Sequence, residues 1–337
     1  MIWIYVIAAV AAALALFLLC AGTYLLFANG IVSSNRKKDK APLSCWEEDE
    51  DAPETVFMIE PCLPYRDELI EGRKWVKSHE LEDFSITSYD GLTLRAKMLP
   101  REGMRGIVLM MHGYRSNPLH DFSLAVKEYF DMGFACMMPY QRAHGESEGK
   151  YITYGVRERH DVVSWCKLIE EKFPGTPVIL DGMSMGATSV LMATGLELPE
   201  CVRGIVADCG FTSPKDIMSS VMKRRLNMAP FPFLYTTGLI AKIKAGFGLG
   251  EVSTLTELKK NRLPLLIVHG EADELVPFSM SEENFEAARD GRDVKFLPFP
   301  GAGHGMSFLT DRERYTEEVK KFTDKCLGQE ARNEKDN

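Results

Sequence analysis

The hydrophobic pattern opens with a run unlike the rest of the chain. From Ile2 to Ser34 there is no charged side chain, and Ile2 to Phe27 is nearly all apolar. About 20 residues, at about 1.5 Å each, cross a bilayer, so the run is long enough to span one and longer than the apolar part of a signal peptide. Leu19 before Cys20 departs from the small residue of a lipoprotein signal. Beyond a polar stretch, Tyr65 to His79 reads as a surface helix. Asp83 to Ser88 and Leu92 to Lys97 alternate apolar and polar residues on either side of Tyr89-Asp90-Gly91, which predicts a hairpin. The pattern then becomes strand and helix in turn. Strands are expected at Gly106 to Met111, Phe134 to Met138, the run from Pro177, Gly204 to Ala207, Leu265 to Val268 and Val294 to Leu297. Helices are expected at Leu119 to Met132, Val156 to Phe173 and from Ala187 to Leu198, and after the last two strands. Such alternation predicts an α/β fold whose sheet is mostly parallel after an antiparallel start and is covered on both faces.

The run Pro177-Val178-Ile179-Leu180-Asp181-Gly182-Met183-Ser184-Met185-Gly186-Ala187 passes from an apolar strand through a tight turn into a helix. It reads as a nucleophile elbow, in which Gly182 and Gly186 are needed because a Cβ there would strike neighbouring backbone. The same G-x-S-x-G spacing recurs at Gly145-Glu146-Ser147-Glu148-Gly149. Ser147 lacks the strand and the helix, and its two flanking carboxylates disfavour an alkoxide, so it is expected to be a loop residue.

Composition narrows the class. Apolar residues make up 45% and charged residues 26%, as in folded globular chains. A net charge of −8 with no basic stripe argues against nucleic acid as a partner. Eight scattered cysteines without metal-site spacing suggest reduced, buried thiols. The charge clusters Arg36-Lys37-Lys38-Asp39-Lys40 and Glu47-Glu48-Asp49-Glu50-Asp51 read as a solvated linker. The expected organisation is a transmembrane anchor at 1–34, a linker and leading helix at 35–80, a catalytic domain at 81–328 and a disordered polar tail at 329–337.

From Phe84 to Leu327 the chain resembles the α/β-hydrolase family, and most closely its membrane-anchored bacterial serine hydrolase branch. The elbow carries the likeness together with Met111-His112-Gly113-Tyr114, Arg142-Ala143-His144-Gly145-Glu146-Ser147-Glu148-Gly149, Ala207-Asp208-Cys209-Gly210-Phe211-Thr212-Ser213 and Ile267-Val268-His269-Gly270-Glu271-Ala272-Asp273. The second of these is similar to an R-G-H-G-x-S-x-G loop, with Ala143 where glycine is usual. The first looks like the family's oxyanion loop, which implies the backbone N–H groups of Tyr114 and Met185 as oxyanion donors and a structural His112.

Downstream of the serine the only histidine after His269 is His304, within Gly301-Ala302-Gly303-His304-Gly305, a loop suited to holding an imidazole over Ser184. The acid is Asp273, at the strand end where the family places it, with Asp208 as its rival one strand earlier. Residues 214–260 form an insertion rich in Met218, Met222, Met228, Phe231, Phe233, Tyr235 and Phe247. It is either a helical lid suited to an acyl group or the core of a small helical subdomain.

The resulting expectation is a carboxylic ester hydrolase with the triad Ser184, His304 and Asp273, without metal or organic cofactor, acting on a small ester with an apolar acyl group. The alternatives are a peptidase or amidase with the same triad, or a membrane-bound module that binds an apolar ligand without catalysis. The basic residues that follow the apolar run place the domain on the cytoplasmic side of a single-pass membrane protein, the extracellular side being the alternative.

Overall fold

A computed structural model describes residues 1–32, 60–290 and 293–328. The linker charge clusters and the polar tail lie outside the described residues. The strands are β1 (Glu82–Thr87), β2 (Thr93–Leu99), β3 (Gly106–Met111), β4 (Phe134–Pro139), β5 (Val178–Met183), β6 (Val202–Asp208), β7 (Leu265–Gly270) and β8 (Val294–Phe299). They form one sheet in the order β1-β2-β4-β3-β5-β6-β7-β8. β1 and β2 pair antiparallel, as do β2 and β4, and every later pair is parallel.

The continuous apolar runs account for this order. β3, β4 and β7 are buried at every residue, as the centre of a sheet covered on both faces requires, whereas β1, at the edge, alternates. Side chains alternate along β3: Val108 and Met110 enter one apolar layer, Ile107, Leu109 and Met111 the other. The first layer is closed by α2 (Arg66–Lys77), α3 (Pro118–Asp131) and α11 (Arg312–Cys326). The second is closed by α4 (Glu158–Lys172), α5 (Met185–Ala193) and α9 (Phe278–Ala288). Asn117 caps α3 by accepting the His120 N–H at 2.8 Å, with Pro118 at the first helical position.

Helix α5 ends at Ala193, short of the expected Leu198. The Thr194 hydroxyl donates to Leu191 O at 2.7 Å, and Gly195 follows, tight against Glu257. Glycine weakens a helix, and here it closes one.

The insertion after β6 folds as α6 (Pro214–Arg224), α7 (Phe233–Ile240) continued by a π turn (Ala241–Ala245), and α8 (Thr254–Glu257). Its Met218, Met222, Leu234 and Phe247 are buried in a third apolar cluster, with Tyr154, Phe211 and Met185. The thioethers therefore pack inward, while Phe231 and Tyr235 face outward.

α1 (Ile2–Gly30) is long and apolar enough to cross a membrane, and it is exposed from Ile2 through Leu18. Phe27 and Ile31 are buried in the third cluster, and the Thr23 and Thr236 hydroxyls are 2.6 Å apart. The Gly30 carbonyl accepts from the Tyr114 hydroxyl at 2.8 Å and from the Tyr154 hydroxyl at 2.7 Å. Ile152 N–H donates to Ile31 O at 2.8 Å. The carbonyls that a helix end leaves without partners are thus met by two tyrosines of the α/β domain.

Candidate active site

The turn from β5 into α5 leaves Ser184 at φ 54°, ψ −112°, a conformation that a non-glycine residue adopts only when its surroundings impose it. They do so here. A Cβ on Gly182 would lie 2.5 Å from the Gly186 carbonyl carbon, and one on Gly186 would lie 1.7 Å from Met111 O. Strand β3 and helix α5 approach so closely that only glycine fits, and the Ser184 N–H is held by Asp208 O at 2.8 Å.

The sequence brings the partners from two later loops. Gly270 ends β7, and a Cβ there would lie 2.3 Å from Ala302 O, so the loop after β8 can lie directly against the loop after β7. Ala272 N–H donates to Ala302 O at 2.9 Å. This seam sets His304 beside Asp273: His304 Nδ1 is 2.7 Å from Asp273 Oδ2, and its Nε2 is 3.0 Å from Ser184 Oγ. A carboxylate can only accept, so Nδ1 carries the proton and Nε2 is left to accept from the serine. Asp208 is placed elsewhere. It is buried and accepts from the Ser307 hydroxyl at 3.3 Å, while burial pushes its carboxyl up to about 6.

Asp273 itself is held by four donors. Its Oδ1 accepts the N–H groups of Leu275 and Val276 at 2.8 and 2.9 Å, and its Oδ2 is shared by His304 and His269, the latter at 3.1 Å. Burial alone would raise this carboxyl, but the hydrogen bonds from His269 and His304 hold it well below the usual carboxylate range. His269 is the residue that sequence reasoning missed. Its Nε2 faces Asp273 Oδ2 and Val276 O, both acceptors, so it bears the proton, and Nδ1 accepts from the Ser281 hydroxyl at 2.6 Å. The signal was its place four residues before the acid, across the turn that closes β7.

Hydrogen bonds to a charged group are worth about 1.5–3 kcal/mol. His269→Asn should therefore lower kcat about 10- to 100-fold with little change in KM, because the ionised Asp273 loses one of its donors. Steady-state kinetics on a chromogenic ester checks this, and an unchanged kcat would assign His269 to packing alone.

The loop after β3 carries the second expected feature. Gly113 N–H is taken by Asp121 at 2.6 Å and Arg115 N–H by His144 Nε2 at 3.0 Å. No acceptor among the described residues takes the N–H of Tyr114 between them, nor that of Met185 at the start of α5. His112 is buried and pushed down to about 3 by that burial. Its Nδ1 meets Gly113 O at 2.8 Å and its Nε2 the Gln141 N–H at 3.1 Å, so it braces the loop as a neutral imidazole.

Ser147 is remote from this group. Its hydroxyl donates to Tyr140 O at 2.6 Å and accepts the Arg95 N–H at 2.9 Å, tying its loop to β2. Within the same loop Ala143 sits at φ 64°, the left-handed conformation that the glycine usual at that place adopts without strain. Cys209, Asp273 and His304 offer atoms within 4.8 Å of one another, the only such triplet with metal-ligand chemistry among the described residues. Burial, with Asp208 and Asp273 nearby, drives the Cys209 thiol well above its usual range.

Known proteins share the fold. The model of the prolyl oligopeptidase family matches residues 120–330. The chain is 26% identical over 242 residues to the protein YqkD of Bacillus subtilis, across 72% of this chain and 78% of that one. An esterase of Pyrococcus furiosus, Pf2001, superposes with a TM-score of 0.61 at 23% identity, across 74% of this chain and 92% of that one. A puromycin-hydrolysing peptidase of Mycobacterium tuberculosis superposes with a TM-score of 0.59 at 17% identity, across 75% of this chain and 40% of that one. Likenesses this distant carry the fold alone, and the fold is that of the α/β-hydrolases. The chain belongs to the prolyl oligopeptidase family, and is a hydrolase of the α/β-hydrolase fold.

Proposed function

We propose that this hydrolase cleaves carboxylic esters through an acyl-enzyme. Ser184 attacks the carbonyl, His304 Nε2 takes the proton and returns it to the leaving alcohol, and Asp273 holds the imidazole tautomer and stabilises its cation. The Tyr114 and Met185 N–H groups receive the oxyanion, and water then releases the acid. The observation that carries the reading is the unbroken line from Ser184 Oγ through His304 to an Asp273 carboxylate kept ionised by its donors. The surroundings of the serine suit an apolar acyl group: Met185, the next residue, belongs to one buried cluster with Phe211, Tyr154 and Met218.

The family match and the peptidase of the same fold support a second reading, an aminopeptidase or amidase with the same residues. Purified full-length protein, assayed with p-nitrophenyl esters and aminoacyl-nitroanilides alongside a fluorophosphonate label, separates them. Ester turnover with labelling is expected. Labelling with anilide turnover alone selects the peptidase, and no labelling selects a binding module.

The apolar cluster beside Ser184 leads to a preference for medium acyl chains over acetyl. Each buried methylene is worth about 0.8 kcal/mol, up to about fourfold in kcat/KM per carbon. A chain-length series of p-nitrophenyl esters checks this, and a flat series would separate the cluster from the acyl pocket.

The first turns of α1 are the membrane anchor in this proposal, because a cleaved leader contributes nothing to the mature fold whereas Phe27 and Ile31 are part of it. Four basic residues follow the helix in sequence (Arg36, Lys37, Lys38 and Lys40), which assigns the domain to the cytoplasmic side. Protease shaving of intact cells is expected to leave the domain whole, and digestion without lysis would reverse the orientation.

A further inference from the structure

Outside α1, seven large apolar side chains are exposed among the described residues: Leu63, Tyr89, Leu226, Phe231, Tyr235, Leu239 and Ile243. Five of the seven belong to the insertion, and the last four recur at every fourth position. That spacing places Tyr235, Leu239 and Ile243 on one stripe of α7 and the π turn that continues it, and Phe231, in the turn just before the helix, sets its ring edge-on to Tyr235. They are 60% to 74% exposed, while Leu234, Thr237, Ala241 and Ala245 of the same segment are buried against the domain. An apolar stripe this regular on the outside of a folded domain marks a contact surface.

What covers it follows from its neighbour. α7 packs on α1, with the Phe233 ring against Gly22 and the Thr236 hydroxyl on Thr23. Crossing about 30 Å of hydrocarbon takes about 20 residues of helix. α1 is exposed through Leu18 and buried against the domain at Thr23 and Phe27, so α7 meets α1 just beyond the stretch left free to lie in hydrocarbon. The charge around the stripe fits the same place. The insertion, residues 214–260, holds eight basic side chains (Lys215, Lys223, Arg224, Arg225, Lys242, Lys244, Lys259 and Lys260) against three acids (Asp216, Glu251 and Glu257), in a chain whose net charge is −8; Lys215 lies over the Tyr235 ring, and Lys242 pairs with Glu251 at 2.7 Å. An apolar stripe flanked by lysine and arginine is the composition of a helix seated at the boundary of headgroups and acyl chains, where anionic lipid attracts the basic residues.

We propose that the outer face of α7, through Phe231, Tyr235, Leu239 and Ile243, is a second membrane contact, seated in the surface of the same bilayer that α1 crosses. The proposal rests on the reading of α1 as a membrane-spanning helix. It puts the insertion, and with it the apolar cluster that reaches Met185 beside Ser184, at the lipid surface rather than in bulk water.

The test is photo-crosslinking of the full chain reconstituted in vesicles of phosphatidylethanolamine and phosphatidylglycerol. p-Benzoylphenylalanine replaces, one at a time, Tyr235, Leu239 and Ile243. Leu14 serves as the position inside the span, and Lys172, exposed at the end of α4 remote from the elbow, as the aqueous control. Lipid adducts are expected at 14, 235, 239 and 243, with their loss at 172. Adducts at 14 without any at 235, 239 or 243 overturn the proposal and leave the anchor standing. Adducts from the stripe to a second copy of the chain make the face a protein interface and overturn it as well. No lipid adduct at 14 removes the anchor, and the proposal with it.

Discussion

Ser184→Ala is expected to abolish fluorophosphonate labelling and to lower turnover by on the order of 10⁶-fold, the scale of losing a triad nucleophile. Ser147→Ala, in the same G-x-S-x-G spacing, is expected to keep its labelling. The two serines differ in what surrounds them. Ser184 stands at a strained turn with His304 Nε2 at 3.0 Å, whereas both hydrogen-bonding capacities of Ser147 go to backbone groups of Tyr140 and Arg95. Loss of the Ser147 hydroxyl removes one donor from the Tyr140 carbonyl and one acceptor from the Arg95 N–H, so its variant should be less stable by about 1–3 kcal/mol rather than inactive. Labelling on gels and thermal melts of both variants check the pair. Labelling that survives in Ser184→Ala would place the nucleophile elsewhere.

Asp273→Asn should cost about 10⁴-fold in kcat, because an amide can present its N–H₂ to His304 and favour the wrong tautomer. Asp208→Asn should cost little, since that carboxyl meets Ser307 and not the imidazole. The two aspartates should also differ in how stability follows pH. Asp273 has a depressed carboxyl, so its contribution is present above the ordinary carboxylate pKa of about 4 and is lost as pH falls through the lower folded value. Asp208, pushed up to about 6, and Asp181, pushed up to about 7, act with the opposite sign. Between about pH 4 and those values they hold protons in the folded chain that the unfolded chain has released, so stability declines as pH rises through that window. Asp208→Asn should therefore flatten the fall in Tm between about pH 4 and about pH 6. A reversed ranking of the two asparagine variants in kcat would move the orienting acid to β6.

The strands were legible because burial on both faces leaves little choice of residue: the runs at β3, β4, β5 and β7 have almost no polar positions to misread. The elbow was legible because its glycines answer to backbone collisions only a few residues away or on one neighbouring strand. The choice between Asp208 and Asp273 was not, since both end parallel strands and the outcome depends on where the loop after β8 leans. His269 was hidden for a similar reason. Its value lies in sharing a carboxylate oxygen with another imidazole, a contact that no spacing rule separates from an ordinary buried histidine. The docking of α1 was hidden by its own hydrophobicity. A run rich enough in apolar residues for lipid looks the same whether its last turns face lipid or protein, and only Gly22, Thr23, Asn29 and Gly30, small or polar at its end, distinguish the two.

The capping of α1 bears on how the protein can be handled. A soluble form is ordinarily made by cutting behind the apolar run, here near residue 35. Such a cut would strip the Tyr114 and Tyr154 hydroxyls of the carbonyl they share and open the seats of Phe27 and Ile31. In the proposed mechanism Tyr114 also carries one of the two N–H groups that receive the oxyanion, so the damage would then surface as weak or erratic turnover rather than as plain misfolding. Truncation before Gly22 keeps these contacts, at the expense of a short greasy stub that calls for mild detergent in every buffer.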